Sequence, residues 1–195
     1  MIETTGGLDA FRATAPYYEV LFDSAPRLER EGPCLLSVLE RAPGQRVVDL
    51  ATGTGPHALF FAENGAEVDA FDLSEEMIAH AQAQRPHDRI HYSQGDMRQP
   101  EGGPWDLAIC LGNSLSLLPA YADVTATFAS LRQRLAPEGL FLLQVLNYGL
   151  DSAQEPRHRV VTKEHDGAEI VAVKSLVPQE GRTLLSLAFF ARKGE

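Results

Sequence analysis

Long apolar runs are missing from this chain of 195 residues: none approaches 18, so the sequence offers no helix able to cross a bilayer. Basic residues are scarce. The chain sets 17 Lys and Arg against 27 Asp and Glu, a net charge of −10, and no Lys/Arg cluster interrupts the pattern. A polyanion binder needs basic surface to displace counterions, so nucleic acid is not an expected partner. The only two cysteines, Cys34 and Cys110, both in apolar surroundings, do not suggest a disulfide framework, and a reducing cytoplasm is the expected setting. The first residues, with Glu3 and Asp9, lack the pattern of a secretory signal. Internal repeats and low-complexity tracts are absent too. What remains is an ordinary globular composition, 44% hydrophobic and 23% charged, at a length suited to one domain with a real core.

One stretch then stands out. Val47-Val48-Asp49-Leu50 is a short apolar strand carrying an acid near its end. Ala51-Thr52-Gly53-Thr54-Gly55 turns through two glycines, and Pro56-His57-Ala58 enters an amphipathic helix. Glycine has no side chain in the way and tolerates strained dihedrals, so a ligand can lie against bare backbone. The amides that open the next helix face that ligand. Dinucleotides and S-adenosylmethionine both use such a turn.

Around this stretch the chain alternates. Residues 16–22 and 33–40 read as two helices, the second stopped by Pro43-Gly44. Strands are expected at 46–50, 67–71, 89–93, 107–111 and 140–146. Helices are expected at 56–64, from the Ser74 cap to about 85, and at 121–135, with Pro137-Glu138-Gly139 as a turn. Strand and helix in short alternation predict an α/β fold, a Rossmann-like doubly wound parallel sheet, with its ligand beyond the carboxyl ends of the strands. Three β-rich runs follow, 157–165, 169–177 and 183–192, separated by Asp166-Gly167 and by Pro178-Gln179-Glu180-Gly181. Those are hairpin turn signals, so a C-terminal antiparallel β meander is expected. The whole reads as one domain: a helical lid over 1–44, whose first 14 residues form an arm, a cofactor-binding core over 45–146, and a β cover over 147–195.

Gly53-Thr54-Gly55-Pro56-His57-Ala58 fits the dinucleotide fingerprint, and Asp72 lies 17 residues beyond Gly55. Three features favour S-adenosylmethionine instead. Asp49 precedes the glycines, where a carboxylate would face a cationic amino-acid end but repel a pyrophosphate. Gln94-Gly95-Asp96-Met97 ends strand three with an acid placed to read an adenine amino group. Nothing resembles a separate dehydrogenase substrate domain.

Together, Asp49-Leu50-Ala51-Thr52-Gly53-Thr54-Gly55, Asp72, Gly95-Asp96 and Trp105-Asp106-Leu107-Ala108-Ile109-Cys110-Leu111 resemble the ordered motifs of class I S-adenosylmethionine-dependent methyltransferases, over residues 45–146. Cys110-Leu111-Gly112-Asn113-Ser114 and Asn147-Tyr148 resemble the glycine/sarcosine N-methyltransferase branch. The resemblance implies S-adenosylmethionine as cofactor. It puts Asp72 on the ribose hydroxyls, Ala51, Thr52, Gly53 and Gly55 along the methionine part, and Asp49 on the cofactor's amino group. Asp96 and the Met97 amide would address adenine, with Leu73 beside them. Met77 either packs on the adenine face or belongs to the helix core. Leu111 and Gly112 would pass close to the cofactor through their backbone.

A sulfonium carries its own leaving group, so the protein must chiefly align an acceptor and exclude water; no catalytic residue is assigned. The expected reaction is methyl transfer to a small molecule, with an amine nitrogen as one acceptor and the choice among N, O, S and C left open. Asn113, Asn147 and Tyr148, at strand ends, and Tyr18 in the lid are the candidate acceptor contacts. Two rivals stay open, a non-catalytic S-adenosylmethionine-binding protein and a nicotinamide-dependent oxidoreductase. His87 and His91, four apart, are read as a loop pair and not as a metal site. His57 is read as filling space, and Cys110 as core. The meander either pairs with itself, leaving strand five with an edge that a homodimer would cover, or pairs along strand five.

Overall fold

A computed structural model of the chain describes residues 2–3, 14–150 and 154–193. In chain order its elements are β1 (Ile2–Glu3), α1 (Ala15–Leu21), α2 (Ser24–Arg41), β2 (Arg46–Leu50), α3 (Pro56–Glu63), β3 (Glu67–Asp72), α4 (Glu75–Gln84), β4 (Ile90–Gln94) and β5 (Trp105–Cys110). A 3₁₀ turn (Ser114–Leu117), α5 (Tyr121–Arg134), β6 (Leu135–Leu143), β7 (Arg157–His165), β8 (Ala168–Gln179) and β9 (Arg182–Lys193) complete the order. These divide into two compact units, Ser24–Val145 and the combination of Met1–Asp23 with Leu146–Glu195. The stretch read as one lid is therefore split, with α1 in one unit and α2 in the other. Most of the expected N-terminal arm, residues 4–13, lies outside the described residues. No helix among the described residues is long and apolar enough to cross a membrane.

The larger unit is built on a five-stranded parallel sheet of order β4-β3-β2-β5-β6. Val47, Val48 and Leu50 of β2 are each 0% exposed, the signature of a parallel strand covered on both faces. Strand parity sorts the two faces. Val47 joins Leu107 and Ile109 against Leu35 and Leu39 of α2, Ala58 and Phe61 of α3, and Ile78 and Ala81 of α4. Val48 and Leu50 join Trp105, Ala108 and Cys110 against Leu131 of α5. β2 pairs with β3 on one side and β5 on the other, so strand order reverses beside it. The crevice beyond its carboxyl end is where such sheets take ligands.

Two elements depart from expectation. Helix α2 begins at Ser24 and carries Pro33 inside it, where the sequence reading started a helix at Pro33. An internal proline removes one helical hydrogen bond and costs about 3 kcal/mol; burial of Gly32, Leu35 and Leu39 on one face offsets it. Strand β6 begins at Leu135, five residues before the expected start, and ends at Leu143. Trp105 pairs with Leu135 and Leu107 with Leu140, so a two-residue step on β5 faces a five-residue step on β6. The Pro137-Glu138-Gly139 turn, with Glu138 at φ 64, survives as an irregularity inside the strand.

The smaller unit is an antiparallel sheet of order β1-β9-β8-β7. Asp166-Gly167 turns β7 into β8, and Gly181 lies in the turn into β9, all three at positive φ. Alternate residues Ile170, Ala172, Leu187 and Phe189 are buried together with Val20 and Leu21 of α1. The three C-terminal runs thus pair with one another and with Ile2–Glu3, in a sheet separate from the one that β6 ends.

Candidate functional site

Leaving β2, the chain folds back through Ala51 at φ 59, Gly53 at φ 59 and Gly55 at φ 83. Three bonds hold this loop. The Thr52 amide donates to the Phe71 carbonyl at 2.8 Å, the Thr52 hydroxyl donates to the Asp49 carboxylate at 2.7 Å, and the Gly55 amide donates to the Thr52 carbonyl at 3.0 Å. Behind it, Arg85 donates from Nη1 to the Thr54 carbonyl at 2.9 Å. The two glycines, read alike from sequence, do different work. A Cβ on Gly55 would lie 2.7 Å from the Tyr92 hydroxyl and 3.2 Å from the Ala81 Cβ, so packing excludes a side chain there. A Cβ on Gly53 would meet nothing within 4 Å, so Gly53 is the glycine that presents backbone to open space.

Asp72 closes β3 beside this loop. Its Oδ2 accepts from the Gly53 amide at 2.8 Å and its Oδ1 from the Ser74 amide at 2.9 Å. Burial pushes its carboxyl up, against the pull of those amides. Ser74 also caps α4, its Oγ accepting from the fully buried Met77. The Leu73 carbonyl accepts from Gln94 Nε2 at 3.0 Å. Asp49, 2% exposed, shares the parity of Val47 and so faces α2 and α3. Burial pushes its carboxyl up to about 6, with the His57 field as the leading opposing influence.

After β4, both oxygens of Asp96 accept from Arg98, whose Nη1 donates in turn to Asp123 of α5 at 3.0 Å. The Arg98 side-chain bonds hold the Asp96 carboxyl below the usual range. Met97 packs, half-buried, on the face that α5 covers. Neither Arg98 nor Asp123 stood out in the sequence. Leu111, buried, ends β5's run and its carbonyl accepts from Ser114 Oγ at 3.0 Å. Asn113, at φ 72, accepts from Ser116 Oγ at 3.0 Å. Cys110 is fully buried and its thiol is pushed up to about 12, so it is core and not a nucleophile.

A polar cluster that sequence reasoning missed lies on the Asp49 side of the sheet. Glu31 of α2 accepts from Arg27 Nε at 3.0 Å, from Gln144 Nε2 at 3.1 Å and from His57 Nε2 at 3.1 Å. Gln144 Oε1 accepts from Arg27 Nη2 at 2.9 Å and from the Gly112 amide at 3.0 Å. The His57 bond, followed by those of Arg27 and Gln144, holds the Glu31 carboxyl down at about 2 against its burial. His57 therefore has a partner, where the sequence reading gave it only a space-filling part. Arg27 and Glu31 sit four apart on one helix, a signal shared by countless solvated pairs.

The remaining candidates belong to the other unit. Tyr18 stacks on Phe22 at 4.4 Å between ring centroids. Asn147 accepts from the Gly149 amide at 3.0 Å, and the Tyr148 carbonyl accepts from Gln154 at 2.8 Å. His87 accepts from the Arg89 amide at 3.1 Å, and His91 lies 3.6 Å from Asp69, so the two share no partner in these contacts.

Residues 47–139 match the family model described as a methyltransferase domain. Among curated proteins, YqeM of Bacillus subtilis (strain 168) is 36% identical over 138 residues, covering 69% of this chain and 55% of that protein. A glycine/sarcosine N-methyltransferase of Halorhodospira halochloris is 32% identical over 148 residues, covering 72% of this chain and 55% of its own length. The chain thus spans about half the length of these curated relatives. Among solved structures, S-adenosylmethionine-bound CalS10, an amino pentose methyltransferase from Micromonospora echinaspora, superposes with a TM-score of 0.63 at 21% identity. That match covers 100% of this chain and 83% of CalS10, and it shows a shared fold.

Proposed function

We propose that the protein, whose residues 47–139 match a methyltransferase domain, transfers a methyl group from S-adenosylmethionine to the amine nitrogen of a small molecule. One observation carries the cofactor reading. The glycine loop leaves Gly53 facing open space while its amide is fixed on Asp72, so bare backbone and an acid stand side by side.

The residues fit S-adenosylmethionine. Each oxygen of Asp72 accepts one backbone amide and keeps a lone pair for the ribose hydroxyls. Asp49, buried against its own solvation, gains most from an ammonium placed beside it. Arg27 supplies the opposite charge: its Nη1 lies 3.5 Å from where a Cβ on Gly112 would stand, and its field reaches Asp49. A zwitterionic amino-acid end suits that pair of charges, and a pyrophosphate does not. Ala51, Thr52, Leu111 and Gly112 would line this end through their backbone. At the adenine end, Asp96 has both oxygens engaged by Arg98, so the first candidate contact is the Met97 amide as donor, and the second is Asp96 as acceptor from the adenine amino group. Of the two readings of Met77, its 1% exposure supports the one in the helix core.

When bound, the cofactor supplies a methyl on a sulfonium that departs by a single displacement. The chain's own work is to hold that end still, align the acceptor and exclude water. The acceptor amine must give up a proton before it attacks, by exchange with solvent or to a nearby base. Asn113, Asn147, Tyr148 and Tyr18 are proposed as acceptor contacts. The amine reading draws on the relatives, whose names specify glycine, sarcosine and an amino pentose. The −10 charge supports a small acceptor over nucleic acid, and the free thiols Cys34 and Cys110 suit a reducing cytoplasm. A homodimer that covers the outer edge of β6 is proposed on the same physical ground as before.

Calorimetric titration with S-adenosylhomocysteine, followed by a screen of glycine, sarcosine and amino sugars with methyl-labelled S-adenosylmethionine, tests this reading. Binding with label transfer to an amine is the expected result. Binding of NADH in preference to S-adenosylhomocysteine would overturn it.

A further inference from the structure

Glu31 is the hub of the cluster beside the glycine loop, and it gathers its partners from its own helix and from two distant stretches. It takes hydrogen bonds from Arg27 on its own helix, from His57 in the first turn of α3, and from Gln144 just past β6. Gln144 closes a ring by accepting from Arg27 and from the Gly112 amide. A solvated i,i+4 pair needs none of this bracing. Here the carboxylate grips Arg27 at Nε while Gln144 grips Nη2, which leaves the Nη1 edge directed over Gly112.

We propose that Glu31 is a positioning residue for the amino-acid end of the cofactor, acting through Arg27 and Gln144, with His57 fixing Glu31 in turn. The proposal rests on the S-adenosylmethionine reading above. Its chemistry follows from the donor count. Glu31 accepts from Arg27 and from Gln144, and with its carboxyl held down at about 2 it is ionised, so the His57 ring at 3.1 Å serves as a third donor. Replacing it by the isosteric amide sets an N–H₂ against at least one of three donors. One contact then becomes donor against donor, and Arg27 loses its counter-charge. The guanidinium swings, and with it the cation that faces a carboxylate. The adenosine end depends on Asp72 and the Asp96 loop, none of which touches Glu31 in the contacts above.

That separation sets the test. S-adenosylhomocysteine carries the amino-acid end; 5′-methylthioadenosine has the same nucleoside and sulfur without it. Both are titrated into wild type, Glu31→Gln, Glu31→Asp and Gln144→Ala. For Glu31→Gln the expected result is roughly 10-fold weaker S-adenosylhomocysteine binding, with methylthioadenosine binding unchanged, which also reports that the variant is folded. Glu31→Asp, which keeps an acceptor-only carboxylate, should recover part of the loss, and Gln144→Ala should weaken the same ligand alone. Equal weakening of both ligands, or of neither, overturns the proposal while leaving the cofactor reading intact. Wild type that binds neither ligand overturns the cofactor reading itself.

Discussion

Charge is handled in opposite ways at the carboxyl edge of the parallel sheet and on the antiparallel sheet. At the parallel edge, Asp49 is buried and Asp72 half-buried; both have their carboxyls pushed up and are met by a threonine hydroxyl and backbone amides. On the antiparallel sheet, Lys163 pairs with Asp23 at 2.9 Å with side chains 42% and 50% exposed, and Arg192 pairs with Glu169 at 2.9 Å with side chains 81% and 41% exposed. The second pattern costs little and contributes little, about 0–1 kcal/mol per pair. The first costs stability, because ionised groups are held out of water before anything binds. Strain of that sort marks a site, and it gives four ways to break the contrast.

The largest effect is expected at Asp49. Its folded-state pKa is raised from 3.8 to about 6, so its protonated form favours folding below 3.8 and that contribution disappears as pH rises through about 6. At pH 7 the ionised group costs at most about 3 kcal/mol by linkage. Asp49→Asn should therefore stabilise the ligand-free protein at neutral pH, flatten the pH dependence of its stability between about pH 4 and 6, and weaken S-adenosylhomocysteine. Chemical denaturation across that range reads the first two; an unchanged pH slope would contradict the burial argument.

Asp72→Ala comes next. A hydrogen bond to a charged group is worth about 1.5–3 kcal/mol, so S-adenosylmethionine and its demethylated product should both bind roughly 10- to 100-fold more weakly. Unlike the Glu31 variants, this one should weaken methylthioadenosine as well. An unaltered dissociation constant would remove Asp72 from the ribose.

The two glycines sharpen the contrast inside the loop. Gly55→Ala drives a Cβ to 2.7 Å from the Tyr92 hydroxyl and should lower stability by about 1–3 kcal/mol. Gly53→Ala meets no neighbour and carries only the positive-φ penalty of about 1 kcal/mol, so thermal melts should place it well above Gly55→Ala. Its larger effect should appear in cofactor titration. The smallest change is expected at Lys163→Ala, below about 1 kcal/mol, with no effect on cofactor binding. A larger loss in the melt would show that the antiparallel sheet is not stabilised by its buried face alone.

Much of this organisation could be read without coordinates. The βα alternation placed four strands to within two residues, and β6 to within five, because buried parallel strands are short apolar runs, and Asp166-Gly167 and Gly181 announced the hairpins. Pro33 misled, because a proline that usually opens a helix also sits inside one when enough leucine is buried around it. Likewise Pro137-Glu138-Gly139 looked like a loop, yet β5 and β6 continue to pair past it.

What the sequence by itself determined was local: the periodicities that make strands and helices, the glycines that allow a tight turn, and the acids at strand ends. These follow from rules that span a few residues, such as side-chain alternation, capping and permitted φ. The tertiary structure alone decided that Gly55 is needed for packing and Gly53 is not, since Tyr92 and Ala81 come from elsewhere in the chain. It also decided that Glu31 meets His57 and Gln144, 26 and 113 residues away. No local signal encodes such contacts. A hydrogen bond depends on where backbone elements are placed by burial of their apolar faces, and that placement is a property of the whole sheet and its helices.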